Sequence, residues 1–301
     1  MRRFNLLLVL TVLLASGPVV MPAAAESTEP MILTSDTTLS EDHTGPIIIA
    51  SNDITLDCGG HTVSGSFADT GILVEGRTGV TVKNCHVTGF AAGIRLRGAY
   101  QNTLASNLLV SNTNGVDLLQ SGENNLVNNQ ARSNGIGFYL SGSAANNLSD
   151  NIAEGNGPAF YLDSSAGNTL DHNTANHNTI GYRLVASSGN TLANNQGSDN
   201  NTDYSLQFSD NNILQANTAN GLADGFSLFR SNGNTLTGNT ASQNDQAGFR
   251  VVASTDNTIT GNTIDSNNYG ILVCKTVLRQ NTLLPNKFQG PQQALAIDKT
   301  C

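Results

Sequence analysis

The 301-residue chain carries 14 basic and 23 acidic side chains, a net charge of −9, and only 12% charged residues. That is about half the usual ~25% for a globular protein. A thinly charged, acidic surface excludes nucleic acid and anionic membrane as partners, and disfavours a polyanionic substrate unless basic residues cluster locally.

The first element is a leader. Arg2 and Arg3 precede an apolar run from Leu6 to Leu14, Gly17-Pro18 breaks it, and Ala23-Ala24-Ala25 offers a small-residue cleavage site. This pattern predicts a signal peptide over residues 1–25, cut after Ala25. No later apolar run approaches the ~20 residues of a membrane span. The predicted location is secreted or periplasmic. Residues 26–50 are non-repetitive and are expected to form an N-terminal cap and the entry to a first coil.

From residue 51 to 284 the chain repeats. Leucine recurs every 22 positions at 104, 126, 148, 170, 192, 214 and 236. A second apolar column holds Ile94, Val116, Phe138, Phe160, Tyr182, Tyr204, Phe226, Phe249 and Ile271, and a third lies two residues further on, from Leu96 to Val273. A spacing of two puts both side chains on one face of a strand. Asparagine forms three columns, running from Asn102 to Asn257, from Asn107 to Asn262 and, less completely, from Asn112 to Asn267. Glycine fills another at 115, 137, 181, 225 and 270, read as a turn column.

Short apolar strands separated by Asn and Gly at this period predict an all-β parallel β-helix solenoid of about ten coils, from Ile54 to Leu283. Stacked coils ~4.8 Å apart turn each column into a ladder of near-touching equivalents. Asn tolerates left-handed turns and both donates and accepts along a ladder, whereas a ladder of charges repels. Small residues at Ala131, Ala153, Ala175, Ala219 and Ala241 are expected to face inward at a narrow corner. Residues 285–301 are expected to cap the far end.

The stretch ITLDCGGHTVSGS, then TGILVEGRTGVTVKNCHVTGFAAGIRL, with the later GNTL coils, resembles NosD-like right-handed β-helix proteins. These belong to a wider carbohydrate-binding and sugar-hydrolase β-helix group. The resemblance covers about residues 45–284 and implies a right-handed solenoid. It leaves function open among lyases, hydrolases, mannuronan epimerases, tailspikes and nitrous-oxide reductase maturation proteins.

Four cysteines remain, and an even count in an exported chain predicts disulfides Cys58–Cys85 and Cys274–Cys301. Cys58, His61, Cys85 and His86 resemble a metal set, but adjacent strand residues point to opposite faces, so no metal site and no cofactor are expected. Met31 is the only methionine left after cleavage, which weakens a copper-delivery role. Asn-Thr-Asp-Tyr at 201–204 resembles a polygalacturonase element without its companion motifs, and Asp203 reads as a left-handed stand-in for glycine.

Two constellations remain. Asp150 and His172 share a column on adjacent coils with Asp171 beside them, a possible acid/base group. The outward position between the paired apolar columns holds Arg95, Asp117, Tyr139, Tyr161, Arg183, Ser205, Ser227, Arg250 and Leu272, and the next outward column adds Arg97 and Asp163. Stacked tyrosines flanked by Arg and Asp suit a shallow sugar-binding strip. The leading expectation is polysaccharide binding on this face. The alternatives are a polysaccharide lyase, hydrolase or epimerase, and a structural envelope protein or NosD-type maturation factor.

Overall fold

The computed structural model describes residues 29–290 and 293–299; the expected signal peptide, 1–25, and Cys301 lie outside these. From Thr70 to Asp265 each coil contributes one six-residue strand and two three-residue strands, for example Asn114–Leu119, Asn125–Val127 and Gln130–Arg132. Equivalent strands pair in parallel with their neighbours one coil away. They build three sheets of 13, 11 and 12 strands, the first made of the long strands. The chain is a parallel β-solenoid.

The stack is about twelve coils, slightly more than the ten counted from the repeat. The extra strands come from segments without repeat character. Met31–Leu33 pairs with Ile47–Ile49 at one end, and Gln293–Asp298 adds to Tyr269–Cys274 at the other. The inward columns persist there, Met31 and Leu33 over Ile47 and Ile49, and Leu295 over Ile271, but loops of other lengths break the 22-residue spacing. At 12 steps between 13 strands, the rod is roughly 60 Å long.

The interior is filled by the predicted columns. Leu104, Leu126, Leu148 and their equivalents are buried, as are the corner alanines 131, 153, 175, 219 and 241. The rings of Phe138, Phe160, Tyr182, Tyr204, Phe226 and Phe249 stack face to face through the core, with neighbouring centroids 4.6–5.0 Å apart. The two tyrosines keep their hydroxyls satisfied: Tyr182 donates to the Asn173 carbonyl at 2.7 Å and Tyr204 to the Asn195 carbonyl at 2.9 Å.

The asparagines occupy the three corners between sheets, buried. Asn151 shows the pattern. Its Oδ1 accepts from both the backbone N and the Nδ2 of Asn129, at 2.9 and 3.0 Å, while its Nδ2 donates to the Leu126 carbonyl and to Asn173 Oδ1. Each amide therefore satisfies corner backbone groups that sheet pairing leaves orphaned. A serine ladder, Ser121 to Ser254, does the same at the bend after the long strand, with Ser143 N donating to Ser165 Oγ at 3.0 Å. The repeat contained that column too, but serine is so common in turns that it carried little contrast.

The glycine column differs from its reading as a left-handed turn. Gly115, Gly137, Gly181, Gly225 and Gly270 lie in the long strands without positive φ. Glycine is required because a Cβ there would come within 2.4–2.8 Å of the next coil's carbonyl oxygen. The left-handed positions are mostly non-glycine, including Asp150 and His172, at φ 56° and 54°.

Cys58 and Cys85 form the predicted disulfide between adjacent coils. Cys274 is also disulfide-bonded, and its expected partner Cys301 lies outside the described residues.

If the amide ladders hold the corners, Asn151→Ala should lower stability by ~2–4 kcal/mol, since it orphans several buried donors and acceptors. Arg132→Ala, on an exposed strand face, should change it by under ~0.5 kcal/mol. Denaturant melts of the two variants followed by circular dichroism check the contrast.

Candidate functional site

Parallel register places the outward residues of the long-strand sheet in a straight file. Arg95 pairs with Asp117, Asp117 with Tyr139, Tyr139 with Tyr161, Tyr161 with Arg183, and the file continues through Ser205 and Ser227 to Arg250. The Tyr139 and Tyr161 rings lie side by side, centroids 5.2 Å apart and tilted by 42°. The Arg183 guanidinium covers Tyr161 at 4.9 Å from its centroid, a cation–π contact. Tyr139 Oη donates to Asp163 Oδ2 at 3.4 Å. Burial raises the Tyr139 hydroxyl above its usual pKa, so it stays protonated and able to donate.

The file is polar at both ends. Arg95 donates from Nη2 and Nε to Asp117 Oδ2 at 2.7 and 2.9 Å. Asp117 is only 2% exposed, and its Oδ1 has no partner. Arg183 Nε is likewise buried without an acceptor. At the far end Arg250 Nη1 stands 3.5 Å from Asp224 Oδ2, and Asp224 Oδ1 is buried and unpartnered. Burial pushes the Asp224 carboxyl up, against the pull of Arg250. The sequence displayed Arg250 in the outward column. Asp224 gave no such signal, because it stands at the start of its strand, three residues before the outward Ser227. A shallow groove of about 640 Å³, lined by Ile48, Leu73, Ala91 and Arg95 among others, adjoins the Arg95 end.

The other candidate group sits elsewhere, on the exposed corner between the two short-strand sheets. There His172 Nδ1 lies 2.8 Å from Asp171 Oδ2, and Asp171 Oδ1 accepts from Asn194 Nδ2 at 2.9 Å. The contact of Asp150 across these coils is through its backbone N–H to the Asp171 carbonyl. Burial pushes the Asp171 carboxyl up, but the bonds from Asn194 and His172 outweigh it and leave the group below its ordinary value. A weakened base on an open corner is poorly placed for general base catalysis. The described residues show no cluster of three His, Cys, Asp or Glu side chains. The Cys58 and Cys85 sulfurs are buried and bonded to each other, while His61 and His86 point outward to Asp42 and Thr62.

Asp203 is the residue whose reading changes most. It is buried, aimed into the corner, and has an ordinary φ. Its Oδ1 accepts from Asn200 Nδ2 at 2.7 Å, and its Oδ2 has no partner. The asparagine ladder reaches Asn200 and finds Leu222 one period on, exposed. Asp203 supplies the missing acceptor. Gly197 and Gly221 make room: a Cβ on either would fall 2.8 Å from the carboxylate.

A parallel β-solenoid with a file of aromatic and paired charged side chains on its long-strand face is the class these features define. The chain belongs to the family described as periplasmic copper-binding protein (NosD), which matches residues 24–196 and 159–300. No curated protein matches it. Among solved structures it is similar to the A-module of the Azotobacter vinelandii mannuronan C-5 epimerase AlgE6, with a TM-score of 0.73, 15% identity and 87% of each chain covered. It is also similar to the catalytic domain of a GH87 α-1,3-glucanase in complex with tetrasaccharides, at a TM-score of 0.58 and 13% identity over 93% of this chain and 68% of that one. The periplasmic alginate epimerase AlgG gives a TM-score of 0.53 at 14% identity, over 89% and 77%. At these identities the likeness is one of fold.

Burial raises the Asp203 pKa to about 7, from an ordinary 3.8. The folded state therefore holds a proton that the unfolded chain releases. Stability is greatest below the unfolded value and falls as pH rises from about 4 to about 7, by roughly 4 kcal/mol in all. Asp203→Asn should remove this fall and be the more stable protein at pH 8. Denaturant midpoints of both proteins at pH 5 and pH 8 measure it.

Proposed function

We propose that this protein is exported and binds extracellular polysaccharide along the outward file of its long-strand sheet, without turning it over. The observation that carries this reading is the side-by-side pair Tyr139 and Tyr161, capped by Arg183. Aromatic faces take the C–H faces of sugar rings, and fixed polar atoms at their margins take hydroxyls. The disulfide and the family, whose description is periplasmic, support placement outside the cytoplasm. So does the charged-then-apolar start of the sequence.

The named solved structures are proteins whose titles describe action on polysaccharides, which supports a carbohydrate ligand for this architecture. Binding is preferred to catalysis because Asp171 and His172 stand on a different corner from the file and form a pair with a weakened base. Copper, implied by the family description, does not fit the residues described: the two sulfurs near His61 and His86 are in a disulfide, and soft ligands of that kind are what copper selects.

A glycan array of the mature protein should return polysaccharide ligands. Tyr139→Ala should then cost ~1–3 kcal/mol of affinity, as a fully contacted aromatic anchor does. Arg132→Ala, on another sheet, should leave affinity unchanged. Equal loss from both variants, or none from Tyr139→Ala, would remove the file as the binding surface.

A further inference from the structure

The corner that follows each long strand turns on one residue with positive φ. Along most of the rod that residue is small or unbranched, as at Gly98, Gln120, Ser164 and Ala253. Two successive coils depart: Phe208 and Arg230 stand there instead, at φ 52° and 49°. A bulky ring in the left-handed region is an outlier that costs free energy, and such residues collect at ligand sites. The core does not require this one, since Phe208 lies on the surface with 49% of its area exposed.

A second ring joins it. Phe229 lies two residues past Ser227 of the file, hence on the same face, and is also exposed. The two phenyl rings meet edge to face with centroids 5.8 Å apart. The Arg230 guanidinium stands 5.3 Å from the Phe229 centroid and 5.7 Å from that of Phe208. Register fixes the platform relative to the tyrosine pair. Ser205 is two coil steps from Tyr161, and Phe208 follows it by three residues. The platform is therefore about 10 Å along the rod and about 10 Å along the strand from Tyr161, a distance that two or three sugar units bridge.

Charge decides what the platform takes. Arg95, Arg97, Arg132 and Arg250 each face a carboxylate. Among the described residues no carboxylate pairs with Arg230. Asp224, on the strand before it, is turned to Arg250, and Asp210, two residues past Phe208, accepts from the Asn232 backbone N–H. The rings hold the face of the guanidinium and leave its N–H edge to solvent. An exposed, unpaired cation is a local reversal of sign in a chain of net charge −9. A guanidinium edge takes a carboxylate through two parallel hydrogen bonds, and phenyl groups pack against the C–H face of a sugar ring.

Resting on the polysaccharide reading above, we infer that the glycan carries a uronate unit, and that Phe208, Phe229 and Arg230 form the subsite that holds it. The rings pack against the uronate ring and Arg230 takes its carboxylate. The remainder of the chain runs diagonally across the long-strand face towards Tyr161 and Tyr139.

The test is calorimetric titration of the mature protein with gluco-, galacto-, manno- and xylo-tetrasaccharides, each with and without one glucuronate or galacturonate unit. For a backbone that binds, the acidic member should bind at least about tenfold more tightly than the neutral one. Raising the salt from about 0.05 M to about 0.5 M should shrink that preference. Arg230→Gln should bring the acidic member down to the neutral level. Phe208→Ala, which restores a residue type found elsewhere at this corner, should weaken acidic binding by about tenfold; both variants are checked for folding by circular dichroism. Neutral members that bind as tightly as acidic ones, or an acidic preference that survives both substitutions, would overturn the subsite; loss of the remaining binding in Tyr139→Ala would then still support the file. Absence of binding by every acidic and neutral member would overturn this inference and the polysaccharide reading together.

Discussion

Everything in this molecule follows from in-register stacking. Each coil lies on a near copy of itself at strand spacing, so each side chain meets its own equivalent above and below. A residue type survives in a column only if it tolerates its own neighbour. Leucine does, by interdigitation. Aromatic rings do, by face-to-face offset stacking at 4.6–5.0 Å. Asparagine does best among polar residues, since one amide presents both a donor and an acceptor along the stacking direction. Charge does not, and the thin charge of the whole chain reflects that exclusion.

The same rule makes departures from a column informative. Asp203 breaks the glycine column, Leu222 breaks an asparagine ladder, and Gly197 breaks the alanine corner column. The three departures are one event. The acidic side chain turns inward, occupies the acceptor position that the leucine vacates, and needs the space that glycine leaves. No functional site is required to explain it. The outward file departs differently: its members vary in type from coil to coil, as a surface free of the core's packing demands allows. There the arrangement of rings and Asp–Arg pairs does not follow from stacking stability alone, since it leaves buried acceptors unfilled.

Family and fold point to different chemistries here. The family description speaks of copper, while the titles of the similar solved structures speak of glycans. The solenoid serves both because its coils fix a scaffold and leave the outer columns free to vary. In this chain the outer columns supply rings, hydroxyls and paired charges, on which the proposed glycan reading rests.

The sequence alone determined the period, the inward columns, the asparagine ladders and the Cys58–Cys85 bond, because in a stacked fold a one-dimensional repeat is the three-dimensional contact map. Leu126 touches Leu148 for the same reason that both are leucine. It also displayed the outward file from Arg95 to Arg250, by the alternation of strand residues. Only the tertiary structure decided what the repeat does not encode. The end coils at Met31–Leu33 and Gln293–Asp298 extend the inward apolar columns, Leu33 over Ile49 and Leu295 over Ile271, but at spacings off the 22-residue period that would have announced them. The glycines answer to a carbonyl of the next coil, not to a turn. His172 chose Asp171, its neighbour in sequence, over Asp150, its neighbour in column, because a left-handed corner aims side chains differently from a strand. Asp224 joined Arg250 from the start of its strand, three residues before the outward position of Ser227. Column membership is legible wherever the backbone is regular, and the direction of a side chain at a corner is not.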